Sequence, residues 1–223
     1  MAEMNRRALI GGIAAGAASL SLLKKARGED KEAMRKYPNE QFYTADGKFN
    51  ADAAKKAFYE LMQYHNYPIP PRLRGDDFWT LDFNMGKFTE VGMAGIFWIN
   101  RLEDDYFGHE IYLLPGQMIP EHKHVKTAAA GPKMECWHVR HGWIHTFGEG
   151  EPTPGAEKII PPSHRECANA RRATKVMPGE VDHLAGAEQW HFMVAGPQGA
   201  IVSEYATYHD GDGLRFSHPK VSL

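Results

Sequence analysis

The sequence has few of the features that mark disulfide-stapled, membrane-spanning or nucleic-acid-binding proteins. Its 223 residues include only two cysteines, Cys136 and Cys167, which are too few for a disulfide framework or a zinc–thiolate site. The formal net charge is −2, so no nucleic acid partner is indicated. We find no internal repeat and no low-complexity stretch. The chain is long enough for one domain with a substantial core, plus extensions.

An uncharged stretch rich in Ala and Gly covers residues 8–23 and directly follows the pair Arg6-Arg7. This order is typical of a twin-arginine export signal. An amphipathic or core helix is the alternative, but the stretch has no polar face with helical period. It is short for a membrane span, so we expect no stable membrane anchor. We predict an export leader over residues 1–30 and a periplasmic or exported domain, which would otherwise be cytoplasmic.

Residues 31–77 are predicted to form an N-terminal linker and one helix. The linker, up to residue 49, is polar and carries mixed charge. Asn50 can cap a helix that ends before the prolines at 68, 70 and 71. The apolar face of this helix comprises Ala51, Ala54, Phe58, Leu61 and Met62.

From residue 78 to residue 223 the pattern changes to short apolar runs separated by Gly and Pro. Many short strands with recurring turn residues are typical of an all-β barrel or sandwich. Examples of these runs are residues 95–98, 111–114, 134–139, 191–195 and 200–205. We predict that this part of the chain is the barrel domain.

Twelve histidines are present, and two of them form the pair His122-Lys123-His124. Residues two apart in a strand share a face, so both imidazoles would point the same way, as a chelate requires. Neutral imidazole is the commonest metal ligand in proteins. The pair therefore indicates a metal site on the inner face of the barrel.

Lys133 and Glu135 begin another apolar run, and strand alternation places them on one face with Trp137 and Val139. Charged side chains that point into an apolar barrel are costly unless they are paired or bound to a metal. A salt-bridged strand that faces water is the alternative for these two residues.

The motif Gly196-Pro197-Gln198-Gly199 is typical of a hairpin turn. With residues 197 and 198 at the tip, His191 would lie opposite Glu204 on the neighbouring strand. Directly opposed residues share a face, with Cβ atoms about 4.5–5.5 Å apart. This register predicts a histidine and a second carboxylate side by side.

The order of these residues resembles the first motif of the cupin superfamily, in which Gly116, His122 and His124 are followed by Glu135 and Gly142. Here the gap between the second histidine and the glutamate is longer than usual. We predict that this insert forms a loop.

Within that superfamily, residues 50–219 are similar to the bacterial D-lyxose isomerase family. The similar segments are residues 65–71, 81–88, 116–120, 133–135, 178–180, 190–192 and 210–216, together with Glu204. This resemblance implies an all-β, cupin-type β-barrel (jelly roll) with an N-terminal helical extension. It also allows a homodimer.

The resemblance further implies a metal-dependent aldose–ketose isomerase that interconverts D-lyxose and D-xylulose, and also D-mannose and D-fructose. The implied metal ligands are His122, His124, Glu135 and His191. Glu204 would move the proton, and Lys133 would stabilise charge on the sugar oxygens through the enediolate stage. This ligand set suits Mn²⁺, with Fe²⁺ or Zn²⁺ as alternatives.

Other interpretations stay open at this point. His183 competes with His191 as fourth ligand, and Lys126 competes with Lys133. The same ligand set supports Fe-dependent cupin dioxygenases and non-catalytic exported cupins that bind sugar or metal. The remaining histidines are read as surface residues or as neighbours of the ligands: His138, His141, His145 and His164.

Overall fold

The computed structural model describes residues 32–223, so the predicted export leader lies outside the described residues. One α-helix is present in this part, α1 (Ala51–Tyr64), with short 3₁₀ turns at Asn39–Phe42, Pro71–Arg74, Ala156–Lys158 and Gly211–Gly213. The strands are β1 (Trp79–Leu81), β2 (Met93–Arg101), β3 (Tyr106–Leu113), β4 (Met118–His124), β5 (Glu135–Gly148), β6 (Arg172–Val176), β7 (Val181–His183), β8 (His191–Ala206) and β9 (Leu214–Phe216). No helix among the described residues is long and apolar enough to cross a membrane.

Helix α1 begins at the predicted cap, because the Asn50 side chain accepts a hydrogen bond from the Ala53 amide at 3.0 Å. It ends at Tyr64 with His65 as the C-cap, and Asn66 follows in the left-handed conformation. The predicted apolar face is buried from residue 54 to residue 62, but Ala51 is exposed. The helix packs on the outside of the barrel against residues such as Tyr112.

The segment that the sequence presents as a polar linker contributes to this packing. Met34, Tyr37 and Phe42 are buried in the same cluster as α1. The Met34 amide also donates to the Pro197 carbonyl at 3.0 Å. Its three spaced apolar side chains are enough to pack the segment despite its polar composition.

Two sheets form the barrel, and they share the long strands β5 and β8. The first sheet has the order β1-β2-β3-β8-β5-β7 and uses residues 200–206 of β8. The second has the order β9-β4-β8-β5-β6 and uses residues 191–195 of β8. The chain therefore has the cupin-type all-β architecture that its sequence predicts.

The predicted hairpin at Gly196-Pro197-Gln198-Gly199 is wrong. The segment is a bend inside one continuous strand, β8, and both halves pair with β5. His191 therefore lies opposite Gly148 and His122, while Glu204 lies opposite Trp137 and His109. A four-residue Gly-Pro motif can form either a reverse turn or a wide bulge. Here it forms the bulge, because the long strand β5 pairs with β8 on both sides of the motif.

The bend still leaves His191 and Glu204 on the same inner face. Residues 191, 193 and 195 point inward before it, and residues 200, 202 and 204 point inward after it. Glu204 follows His191 by thirteen positions, an odd number, so regular alternation would put the two side chains on opposite faces. The bulge shifts the alternation by one residue, so that both side chains point inward.

Candidate metal centre and neighbouring carboxylate

Four side chains meet inside the barrel. His122 and His124 come from β4, Glu135 from the start of β5, and His191 from the start of β8. One ligand atom from each lies within 4.8 Å of all the others. The four ligand atoms are therefore close enough together to share one ion.

Backbone carbonyls orient two of the imidazoles. Nδ1 of His122 lies 2.9 Å from the Pro120 carbonyl, and Nδ1 of His191 lies 2.9 Å from the Gln189 carbonyl. Since a carbonyl only accepts, each Nδ1 carries a proton, and in the neutral form of either ring the lone pair is on Nε2. Such outer hydrogen bonds are typical of histidines that bind metals.

Ionisation states at the cluster also suit a cation. Burial, together with the nearby rings of His191 and His124, holds the pKa of His122 well below its usual value. Burial opposes ionisation of Glu135, but the Lys133 ammonium and the histidines outweigh it and hold the pKa of Glu135 well below its usual value. Neutral imidazoles and an ionised carboxylate are the forms that bind metal.

The residues present fit a divalent cation. Both ring nitrogens of His124 are buried without a hydrogen-bond partner among the described residues. Nε2 of His191 lies 2.5 Å from Oε1 of Glu135, with lone pairs on both atoms when the ring is neutral. A cation shared by these atoms would satisfy them, since buried polar atoms are ordinarily paired. Three imidazoles and one carboxylate are suitable donors for Mn²⁺, Fe²⁺ or Zn²⁺.

Lys133 lies between two buried carboxylates. Its Nζ is 2.7 Å from Oε2 of Glu135, and it also hydrogen-bonds Oε1 of Glu204. Burial favours the neutral amine, but the two carboxylates outweigh it and raise the pKa of Lys133. The side chain therefore remains an ammonium inside the barrel.

His109 holds the other oxygen of Glu204. Its Nδ1 lies 2.9 Å from Oε2 of Glu204, and its ring stacks on Trp79 at 27°. Gly95 leaves room for the ring, since a Cβ there would lie 2.3 Å from His109 Nε2. Glu204 is thus fixed between His109 and Lys133, next to the histidine–glutamate cluster.

The alternative candidates for the fourth ligand and for the lysine lie outside this site. His183 is exposed on β7 and pairs with Cys136, so it shares the outer face of the barrel and not the face of Glu135. Lys126 is exposed in the loop before β5. His164 was expected to be either a surface residue or a neighbour of the ligands, and its complete burial excludes the first of these. His164 lies beside His218, with ring centroids 4.8 Å apart.

The cluster opens into a cavity of about 440 Å³ lined mainly by aromatic and aliphatic side chains. Two lining histidines, His109 and His209, were missed by the sequence reasoning. Strand alternation with Ile111 could have placed His109 on the inner face. His209 follows the end of β8 in a loop, where no periodicity indicates its direction.

The fold and the site together define a cupin-type barrel with a three-histidine, one-glutamate cluster beside a lysine-bridged pair of carboxylates. No established family model matches the chain. Over 140 residues it is 31% identical to the D-lyxose ketol-isomerase of Cohnella laeviribosi, covering 63% of this chain and 75% of that protein. Over 163 residues it is 28% identical to the D-lyxose/D-mannose isomerase of Thermosediminibacter oceani, covering 73% and 88%.

Solved structures support the fold. The chain aligns with an L-ribose isomerase of Acinetobacter sp. DL28 at a TM-score of 0.61 and 14% identity, covering 82% of this chain and 96% of the other. The L-ribose isomerase of Cellulomonas parahominis gives a TM-score of 0.62 at the same identity and coverage. The chain belongs to the D-lyxose isomerase family, and it is a sugar isomerase.

Proposed function

We propose that this enzyme is a metal-dependent aldose–ketose isomerase that converts D-lyxose into D-xylulose and also accepts D-mannose. The observation that carries the proposal is the position of Glu204. This carboxylate is buried, held at both oxygens, and adjacent to the cluster of His122, His124, Glu135 and His191. Both relatives reported above carry D-lyxose isomerase in their names.

The reaction moves one proton from C2 to C1 of the open-chain sugar and a second proton from O2 to O1. A divalent cation held by the four ligands would supply a Lewis acid that lowers the energy of the enediolate. Glu204 takes the proton from C2 and returns it to C1, because a carboxylate can serve as base and then as acid on one face of the substrate. His109 aims this carboxylate.

Lys133 complements Glu204 in this scheme. Its ammonium carries three donors, two of which are directed at Glu135 and Glu204. The third can donate to a sugar oxygen as negative charge develops there. The cavity wall is largely apolar and lowers the local dielectric constant, which strengthens these interactions.

The test is incubation of the purified, Mn²⁺-loaded protein with D-lyxose and with D-mannose. We expect D-xylulose and D-fructose to form, with exchange of the C2 hydrogen when the reaction is run in D₂O. Glu204→Gln should retain its Mn²⁺ and lose at least about 100-fold in kcat. His191→Ala should lose the metal and the activity together.

Matched controls separate the parts of the proposal. His183→Ala, on the outer face, should behave as wild type. If the protein converted neither D-lyxose nor D-mannose, the proposed substrates would be refuted. Turnover by Glu204→Gln at the wild-type rate would refute the role of Glu204 as base. Sugar binding without exchange of the C2 hydrogen would indicate a binding protein instead.

A further inference from the structure

The cavity beside the candidate metal centre has few polar groups with which to hold a sugar. Outside the four-residue cluster and the Lys133–Glu204 pair, the described lining residues that carry side-chain nitrogen or oxygen are Trp79, Thr80, His109, Trp137 and His209. Nδ1 of His109 is committed to Glu204, while Thr80 Oγ1 and Nε2 of His109 are buried without a hydrogen-bond partner among the described residues. A sugar has hydroxyl groups beyond the two reacting carbons, and each needs a partner once it is desolvated.

His209 is held rigidly at the edge of this cavity. The Asn100 side chain accepts a hydrogen bond from the His209 amide at 3.0 Å and donates to its carbonyl at 2.9 Å. The ring stacks on Phe107 at 27°, and Phe97 contacts it edge-on. These contacts fix both the backbone and the ring of His209 before any ligand binds.

The ring lies next to the cluster without being part of it. Its centroid is 5.8 Å from that of His124, at an interplanar angle of 79°. Nδ1 of His209 has no hydrogen-bond partner among the described residues. A fixed imidazole whose tautomer no neighbouring group dictates can donate to or accept from a hydroxyl group.

We propose that His209 is a substrate-binding residue that hydrogen-bonds a sugar hydroxyl beyond the reacting C1–C2 pair. This inference rests on the proposed function and goes beyond it by naming a group that recognises the rest of the sugar. The His209 ring lies 5.8 Å from the His124 ring, so it is close enough to contact a sugar whose reacting end lies at the cluster. Because Asn100 and Phe107 preorganise the ring, binding requires little ordering of the protein.

The experiment compares wild-type protein with His209→Phe and His209→Gln, and with His183→Phe as the matched control on the outer face. The phenylalanine retains the stacking on Phe107 but removes both nitrogens, and the glutamine restores an amide donor and acceptor. For each Mn²⁺-loaded protein, one measures KM and kcat for D-lyxose, bound Mn²⁺, and the Kd for D-arabinitol, the sugar alcohol obtained by reducing D-lyxose.

We expect His209→Phe to raise KM for D-lyxose and Kd for D-arabinitol about five- to tenfold, as loss of one hydrogen bond predicts. Bound Mn²⁺ should not change, and His209→Gln should recover part of the loss. Unchanged KM and Kd in His209→Phe would overturn the inference. So would a loss of Mn²⁺ in this variant, since His209 would then be a metal ligand.

The D-arabinitol measurement keeps the two proposals distinguishable. If the wild-type protein isomerises neither D-lyxose nor D-mannose, the proposed function fails. The role of His209 is then decided by the Kd values alone, and weaker binding of D-arabinitol by His209→Phe supports it. Absence of any D-arabinitol binding to wild-type protein would overturn the inference as well.

Discussion

Lys133 is the residue on which the charge balance of the site depends. It is almost completely buried and contacts two carboxylates that are also buried, Glu135 and Glu204. A buried cation between two buried anions is stable only while all three are present, because each charge has given up its hydration. The same side chain therefore serves both the stability of the barrel and the proposed proton transfer.

We predict that Lys133→Met destabilises the metal-free protein by about 3 kcal/mol and lowers kcat at least about 100-fold. The methionine fills a similar volume but leaves Glu135 and Glu204 without a counter-charge. Urea unfolding in the presence of a chelator measures the first effect, and the D-lyxose assay measures the second. Lys126→Met is the control and should match wild type, since Lys126 is exposed. If Lys133→Met had the same free energy of unfolding as wild type, the ion pairs would make no net contribution to stability.

At the scale of elements, the paired bends of β5 and β8 determine which side chains enter the barrel. Gly142 and Gly199 lie next to each other at these bends, with φ of 67° and 65°. A Cβ on Gly142 would lie 2.0 Å from the carbonyl oxygen of Gly199. Glycine is required at residue 142 both for its left-handed backbone and for this close approach.

We predict that Gly142→Ala destabilises the fold by more than about 3 kcal/mol, because a left-handed alanine and a severe overlap with the β8 backbone add together. Gly179→Ala is the matched control. Gly179 has φ of 86°, but nothing lies within 4 Å of its Cβ position, so only about 1 kcal/mol should be lost. Denaturant unfolding measures the stability of both variants. Equal losses of unfolding free energy would mean that the close approach of the β8 backbone does not add to the cost at residue 142.

At the scale of the whole molecule, the barrel assembles the site from distant parts of the chain. Its components come from β3, β4, β5, β8 and the loop before β5. A cation held by the four ligands would connect β4, β5 and β8, and would therefore stabilise the folded state over the unfolded one. Metal binding and folding of the barrel are expected to be coupled.

Export is proposed at the same scale. We propose that residues 1–30 direct the protein out of the cytoplasm through the twin-arginine route, since Arg6 and Arg7 precede an uncharged stretch. Expressed in a bacterium, the full chain should be recovered mainly in the periplasmic fraction, and Arg6→Lys/Arg7→Lys should remain in the cytoplasm. Lys24→Arg/Lys25→Arg is the control. An identical distribution of the two double variants would exclude this route.

The sequence by itself determined the kinds of elements and the inward direction of several site residues. Alternation over two residues is enough to place His122 with His124 and Glu135 with Trp137, because strand geometry is local. Asn50 and the prolines after α1 likewise predict a helix start and end from local chemistry. These predictions depend on neighbours within a few residues.

Only the tertiary structure decided how the distant parts meet. The motif at residues 196–199 permits a hairpin or a bulge, and the pairing of β8 with β5 on both sides of the motif selects the bulge. That choice brings Glu204 next to His109 and Lys133, and leaves His191 beside His122. Pairing partners in a β-sheet are set by contacts far apart in sequence, so local pattern cannot fix them.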